Sequence, residues 1–253
     1  MPEDEIGGRS EEAKTPVDDP TGPPGTPRVR GGRQTRDWLQ TVRQSLPVAW
    51  RVARRMAPTY ELEAAADLNA GFLREHGILG LLWDVDGTLT HYHAARLAPE
   101  AEPVRALFAT DGLRHAILSN CDEVRYAELG RIFPDLPILK LYELAGGTIG
   151  RRLERGTESW FPAGTGAGTH SPPTDELVAL RKPDPRIIRF AVEQLGVPAA
   201  SVLMVGDQYW TDVAGAGLAG IRSAKVPTAG RSTFPPALRA FQTIEKWVRN
   251  ALA

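Results

Sequence analysis

From about residue 67 onward the chain alternates short apolar runs with amphipathic stretches, and this alternation restricts the folds open to it. The runs at 78–83, "HAILSN" (115–120), "PILKLY" (137–142), "ELVAL" (176–180), "SVLMVGD" (201–207) and "IRSAKV" (221–226) read as strands. Between them, 69–76, 99–109, "DEVRYAELGRIF", "DPRIIRFAVEQLG", "YWTDVAGAGLAG" and a terminal stretch over about 235–251 read as helices. Strands joined through helices form βαβ units, whose crossovers build a mainly parallel sheet covered on both faces. An α/β domain is therefore expected, and 253 residues suffice for one such domain with extensions.

The first strand carries the sharpest anomaly. In "LLWDVDGTLT" (81–90) an unbroken apolar run ends directly in Asp84, with Asp86 two residues on. Asp86-Gly87 alone would be an ordinary turn pair. Asp84 is different, because a carboxylate at the end of a buried strand needs a partner cation or costs several kcal/mol, roughly the effective penalty for a buried ion. In parallel α/β sheets ligands sit at the C-terminal strand ends, and three other strands deliver polar groups there. "AILSN" supplies Ser119 and Asn120, "VALRKPDP" supplies Lys182, and "LMVGDQYWTD" supplies Asp207 with Asp212 five residues on. Asp184-Pro185 has the pattern of a helix cap and first helical residue.

Phosphoryl transfer through an aspartyl phosphate uses this set. Asp84 is placed as nucleophile, since a carboxylate needs no deprotonation to attack phosphorus. Asp86 is placed as general acid to the leaving oxygen and then general base to the hydrolytic water. The Ser119 hydroxyl and backbone N–H groups around Asn120 suit a phosphoryl oxygen, and Lys182 both binds phosphate and neutralises Asp84. Asp84, Asp207 and the backbone carbonyl of Asp86 make a hard oxygen site for Mg²⁺. Asp212 would ligate directly, ligate through water, or orient Lys182.

"DVDGT", "LSN", "KPDP" and "GDQYWTD" resemble, in the right order, the four motifs of the haloacid dehalogenase (HAD) superfamily. That resemblance spans about residues 67–228 and implies a Rossmann-like three-layer α/β/α sandwich with the residue roles given above. An aspartate at the second acid position, Asp86, is similar to the phosphatases of that superfamily rather than its dehalogenases. A narrower resemblance, carried by residues 56–90 and "GDQYWTDVAGAGLAGIRSAKV", is to the YqeG-type phosphatases, a branch that includes phosphatidylglycerophosphate phosphatases. It implies a phospholipid monoester as substrate, with a soluble metabolite or nucleotide phosphate as the alternative. A non-catalytic binding module on the same fold is the reading from another class.

Only about 35 positions separate Asp84 from Ser119, too few for a large cap domain there. An uncovered site admits bulky substrates. The stretch 144–174 is rich in Gly, Thr and Pro and reads as an irregular insertion within a hydrolase domain over 59–253.

Upstream, residues 1–36 hold too few apolar residues to offset their ordering entropy and are expected to be disordered. Residues 37–58 read as a basic amphipathic helical segment, divided at Pro47, with Ser45 as a candidate cap. Val48, Ala49, Val52, Ala53 and Met56 fall on one arc and Arg51, Arg54 and Arg55 on the other. Three readings stand: the apolar arc packs on the domain, residues 28–56 contact an anionic membrane, or the segment meets a protein or nucleic-acid partner. A net charge of −1 gives no general attraction to nucleic acid, and none is expected as a partner. One cysteine, no secretory leader pattern and no apolar run near 20 residues lead to the expectation of a cytoplasmic protein, peripheral to the membrane in the second reading. His91 and His93 read as exposed residues of the loop after the first strand, Cys121 as a neighbour of the phosphate site, and Tyr209 and Trp210 as packing or rim residues.

Overall fold

The computed structural model describes residues 49–162, 168–171, 173 and 176–252. The expected disordered tail, the Pro47 division, the Ser45 cap and residues 37–48 of the basic segment lie outside the described residues.

Nine strands form one mixed sheet. They are β1 (Tyr60–Glu61), β2 (Gly80–Trp83), β3 (Arg114–Ile117), β4 (Ile138–Leu144), β5 (Gly147–Glu154), β6 (Thr157–Pro162), β7 (Val178–Ala179), β8 (Val202–Gly206) and β9 (Arg222–Lys225). Their order is β1-β9-β8-β2-β3-β4-β5-β6, with β7 also paired to β4. Pairings from β1 across to β4 are parallel, whereas β5, β6 and β7 join antiparallel.

β2 is central because its residues are apolar on both sides. Leu81 and Trp83 join Ile117 and Val205 in one core, and Leu82 joins Ala116, Leu118 and Met204 in the other. Such double burial is why the strand reads as a continuous apolar run. With α1 at Ala49–Ala53, the first core is closed by α2 (Ala70–Glu75), the 3₁₀ segment Pro99–Ala109 and α3 (Glu123–Ile132). The second is closed by α4 (Pro185–Leu195) and α5 (Ala214–Ala219). The result is the three-layer α/β/α arrangement, Rossmann-like in its parallel part, and no separate cap domain stands among the described residues.

Local chemistry sets several boundaries. Asn69 caps α2 by accepting from the Gly71 and Phe72 N–H groups, and Asp184 caps α4 by accepting from Arg186 N–H, with Pro185 in the first turn. The segment 99–109 forms a 3₁₀ helix instead of the expected α-helix; Pro103 inside it has no N–H to donate to an α-helical ladder.

The expectation of an irregular insertion over 144–174 is corrected for most of its length. Residues 147–162 form the β5–β6 hairpin, which extends the sheet from β4. Its turn is Arg155-Gly156, both with positive φ (50° and 74°), as a tight two-residue hairpin turn requires. Ile149, Leu153 and Trp160 are buried by it.

At the other end, α1 (Ala49–Ala53) buries Val52, followed by Met56, against Tyr209, Val213 and Ala214, leaving Trp50 exposed. The terminal helix α6 (Pro236–Leu252) completes the fold. No helix among the described residues is long and apolar enough to cross a membrane.

Candidate active site

The parallel strands reverse their direction of advance at β2. Successive strands β2, β3 and β4 run to one side, while β8 and β9 run to the other. Crevices at such a switch point are where ligands bind in open α/β sheets. Asp84 and Asp207 flank it, one residue beyond β2 and one beyond β8.

Asp84, Asp207 and Asp212 are all buried, and their carboxylates present oxygens within 4.8 Å of one another. Lys182 Nζ, 1% exposed, donates to Asp84 Oδ1 at 2.7 Å and to Asp212 Oδ1 at 2.6 Å. Asp212 Oδ2 accepts from Gln208 N–H at 3.1 Å. Gly206 makes room for it, because a Cβ there would lie 2.2 Å from Asp212 Oδ2. Asp207 Oδ1 accepts from the Thr88 hydroxyl at 3.4 Å and Oδ2 from Gln242 Nε2 at 3.2 Å.

The electrostatics follow from three buried carboxylates, two of them bonded to Lys182 and the third, Asp207, opposed in part by Lys225. Burial pushes the Asp84 carboxyl up to about 7; Lys182 opposes this and Asp212 adds to it. Burial, then Asp84 and Asp212, hold Asp207 well above the usual carboxylate range. Burial works against the Lys182 charge, but Asp212 and Asp84 outweigh it and raise the ammonium above its ordinary value. The cluster is short of positive charge, and its donor set is hard oxygen, which fits a divalent cation such as Mg²⁺.

Asp86 stands at the rim. Its Oδ1 accepts from His93 N–H (2.9 Å), the Thr90 hydroxyl (3.3 Å) and Arg125 Nη2 (2.8 Å). Arg125, on α3, is 1% exposed and had no part in the sequence reading. Its only signal there was a charged residue beside Tyr126 and Leu129 on the buried face of a helix. Gly87, at φ 92°, turns the backbone tightly past the site; a Cβ there would lie 2.8 Å from Asp207 Oδ2 and 2.7 Å from Phe234.

Ser119 is buried two residues beyond the end of β3, on the strand next to β2. Asn120, expected at phosphate, has its side chain committed elsewhere: Oδ1 accepts from Lys182 N–H at 2.8 Å and Nδ2 donates to Lys182 C=O at 2.9 Å. It clamps the backbone that presents the lysine. His91 lies on the loop after β2 with a third of its side chain exposed and bonds Glu100 at 3.0 Å, and the Tyr92 ring packs tilted against Phe234. Burial pushes the Cys121 thiol up to about 11, which leaves it a poor nucleophile. The terminal helix brings two unforeseen residues, Gln242 and Glu245, against Asp207 and the turn after it.

Residues 179–242 match the HAD-hydrolase-like family model. That span holds Lys182, Asp207 and Asp212. A phosphoserine phosphatase of Thermus thermophilus is 40% identical over 78 residues, which cover 30% of this chain and 31% of that enzyme. Both matches support the HAD superfamily. The crystal structure of an uncharacterized protein from Listeria monocytogenes serotype 4b aligns over 58% of this chain and 76% of its own, at 20% identity and a TM-score of 0.36.

Proposed function

We propose that the protein is a Mg²⁺-dependent phosphomonoester hydrolase acting through a phosphorylated Asp84. The observation that carries this reading is the buried Asp84–Lys182–Asp212 array with Asp207 beside it at the switch point of the sheet. Asp84 attacks phosphorus, the bond from phosphorus to the ester oxygen breaks, and the leaving oxygen takes a proton from Asp86. Water then attacks the aspartyl phosphate, giving its proton to Asp86 and releasing inorganic phosphate and free Asp84. Arg125 holds Asp86 at the rim throughout. Lys182 keeps Asp84 oriented and offers charge to the phosphoryl oxygens, and Ser119 offers a hydroxyl. Asp84, Asp207 and the Asp86 carbonyl would hold Mg²⁺, with Asp212 behind; the ion would offset the repulsion between an anionic nucleophile and an anionic ester.

Among phosphomonoesters, a phospholipid such as phosphatidylglycerophosphate is favoured by one feature. Trp50 on α1 and Trp247 on α6 are 64% and 71% exposed, on helices that pack together, with Arg51, Arg54, Arg55 and Lys246 close in sequence. Aromatic and basic groups of this kind suit an anionic membrane surface. The second reading, a soluble substrate, is favoured by the relative's name, phosphoserine phosphatase.

The test is Mg²⁺-dependent turnover of p-nitrophenyl phosphate by wild type and Asp84→Asn. Phosphatidylglycerophosphate in mixed micelles, phosphoserine and nucleoside monophosphates are assayed alongside. Turnover that needs Mg²⁺ and Asp84 is expected. A clean, folded wild type inert on every ester would sink the hydrolase and favour the binding module. Preference for phosphoserine would sink the lipid assignment alone.

A further inference from the structure

The terminal helix α6 meets the domain through a mixed face: Val248 packs on the Tyr209–Val213 cluster and Phe241 on Trp210, with polar side chains between them. Ile244 and Trp247 are 58% and 71% exposed, while Gln242 and Glu245 between and beside them are buried. Residues three apart share a helix face, so the amide and the carboxyl point inward together. Gln242 Nε2 donates to Asp207 Oδ2 at 3.2 Å. Glu245 accepts from Tyr209 N–H at 3.3 Å and Trp210 N–H at 3.0 Å. Those two N–H groups open the turn Tyr209–Val213, which carries Asp212. One turn of α6 therefore grips both carboxylate-bearing segments, the end of β8 and the turn that follows.

A second observation points to a ligand. Gln242 is only 8% exposed, and its Oε1 is buried with no hydrogen-bond partner among the described residues. Reversing the amide would not help, since it would set oxygen against the Asp207 carboxylate. Gln242 lines a cavity of about 470 Å³ together with Asp207, Glu61, Lys225, Thr228 and Glu245. An unpaired buried acceptor on the residue that holds Asp207 calls for a donor.

We propose that Gln242 and Glu245 are positioning residues for the metal centre. Gln242 fixes the Asp207 carboxylate with its amide N–H, in the orientation a cation held by Asp84 and Asp207 would meet. Glu245 holds the turn that presents Asp212 to Lys182. This rests on the reading of Asp84 and Asp207 as a Mg²⁺ site.

Calorimetric titration of the metal-stripped full chain with Mg²⁺, without substrate, tests it. Wild type is expected to bind Mg²⁺. Gln242→Leu is expected to bind about 10- to 100-fold more weakly, the usual consequence of removing an outer partner of a metal ligand. The melting temperature of the metal-free variant should stay close to that of wild type. Glu245→Gln, which keeps one acceptor oxygen, should lose less. If Gln242→Leu does not fold, Gln242→Asn retains the amide, is too short to reach Asp207, and carries the same expectation. Equal Mg²⁺ affinity in wild type and the folded Gln242 variant overturns the proposal while leaving the hydrolase reading intact. A wild type that binds no Mg²⁺ removes both.

Discussion

Two ionic clusters among the described residues, one half-buried and one buried, differ in charge balance. Around Glu123, on α3, Lys140 Nζ and Arg151 Nη1 approach at 2.6 and 2.5 Å, Tyr142 donates at 2.9 Å, and Arg151 Nη2 reaches Glu158 at 2.5 Å. Two acids meet two bases. Burial works against the Glu123 charge, yet Lys140 and Arg151 outweigh it and hold the carboxyl below its ordinary value. At the switch point Lys182 bonds two of three buried acids and Lys225 opposes only part of the burial of the third, Asp207, so that Asp84 and Asp207 are left raised. The balanced cluster ties the β5–β6 hairpin to α3, and its carboxylates are already met by two cations. The unbalanced one is under repulsion until a cation or a proton arrives, which is what makes it a site.

The comparison breaks first at Asp84. Asp84→Asn is expected to lower phosphatase turnover by more than about 10³-fold, or roughly 4 kcal/mol of transition-state stabilisation. It should not lower the melting temperature of the metal-free protein, because a strained charge has been removed and Lys182 keeps Asp212. A variant that melts much earlier would mean that Asp84 is structural, like Glu123. Next in size is the response to metal. At 100 times its dissociation constant, Mg²⁺ should stabilise the wild type by about 2.7 kcal/mol. Thermal melts should lose most of that gain in Asp207→Asn. An equal gain in both proteins would move the ion elsewhere.

Glu123→Gln sharpens the other side. Removing one member of a fully buried pair costs about 3–5 kcal/mol. The Glu123 side chain is 34% exposed, so about 2 kcal/mol is expected from urea denaturation. Mg²⁺ affinity should not change. If it falls, the two clusters are coupled through α3, which also carries Arg125, and the division between architecture and site does not hold.

The same contrast explains what the sequence could disclose. Asp84, Lys182, Asp207 and Asp212 were legible because each interrupts or follows an apolar run at a strand end, where a charge needs a reason. The cap at Asp184-Pro185 was legible for an equally local reason. The hairpin was not, because its inward positions include Arg151 alongside Ile149 and Leu153, and the ion partners that make that arginine tolerable come from α3 and β6. Arg125 and Gln242 were hidden in the same way. Each is a polar residue on a helix, and only the tertiary fold supplies Asp86 to the one and Asp207 to the other. On α6 the pattern misleads in part, since its tryptophan and isoleucine face solvent and its amide and carboxyl face in.

The smallest expected effect concerns a buried titratable group that belongs to neither cluster. His115, on β3, stacks on Trp83 and accepts its indole N–H through Nδ1 at 3.1 Å. Burial pushes its imidazolium pKa down to about 4. The unfolded chain, near 6.5, therefore binds a proton that the folded chain refuses between those two values. Stability from the neutral ring is fully present above pH 6.5 and is lost as pH falls toward 4. At 1.36 kcal/mol per unit the full shift would exceed 3 kcal/mol; because burial is partial, about 1–2 kcal/mol is expected. His115→Gln should flatten the decline in urea stability between pH 6.5 and 4.5 without altering Mg²⁺ affinity at pH 7. An unchanged acid slope would assign that decline to the carboxylate clusters and leave His115 a packing residue.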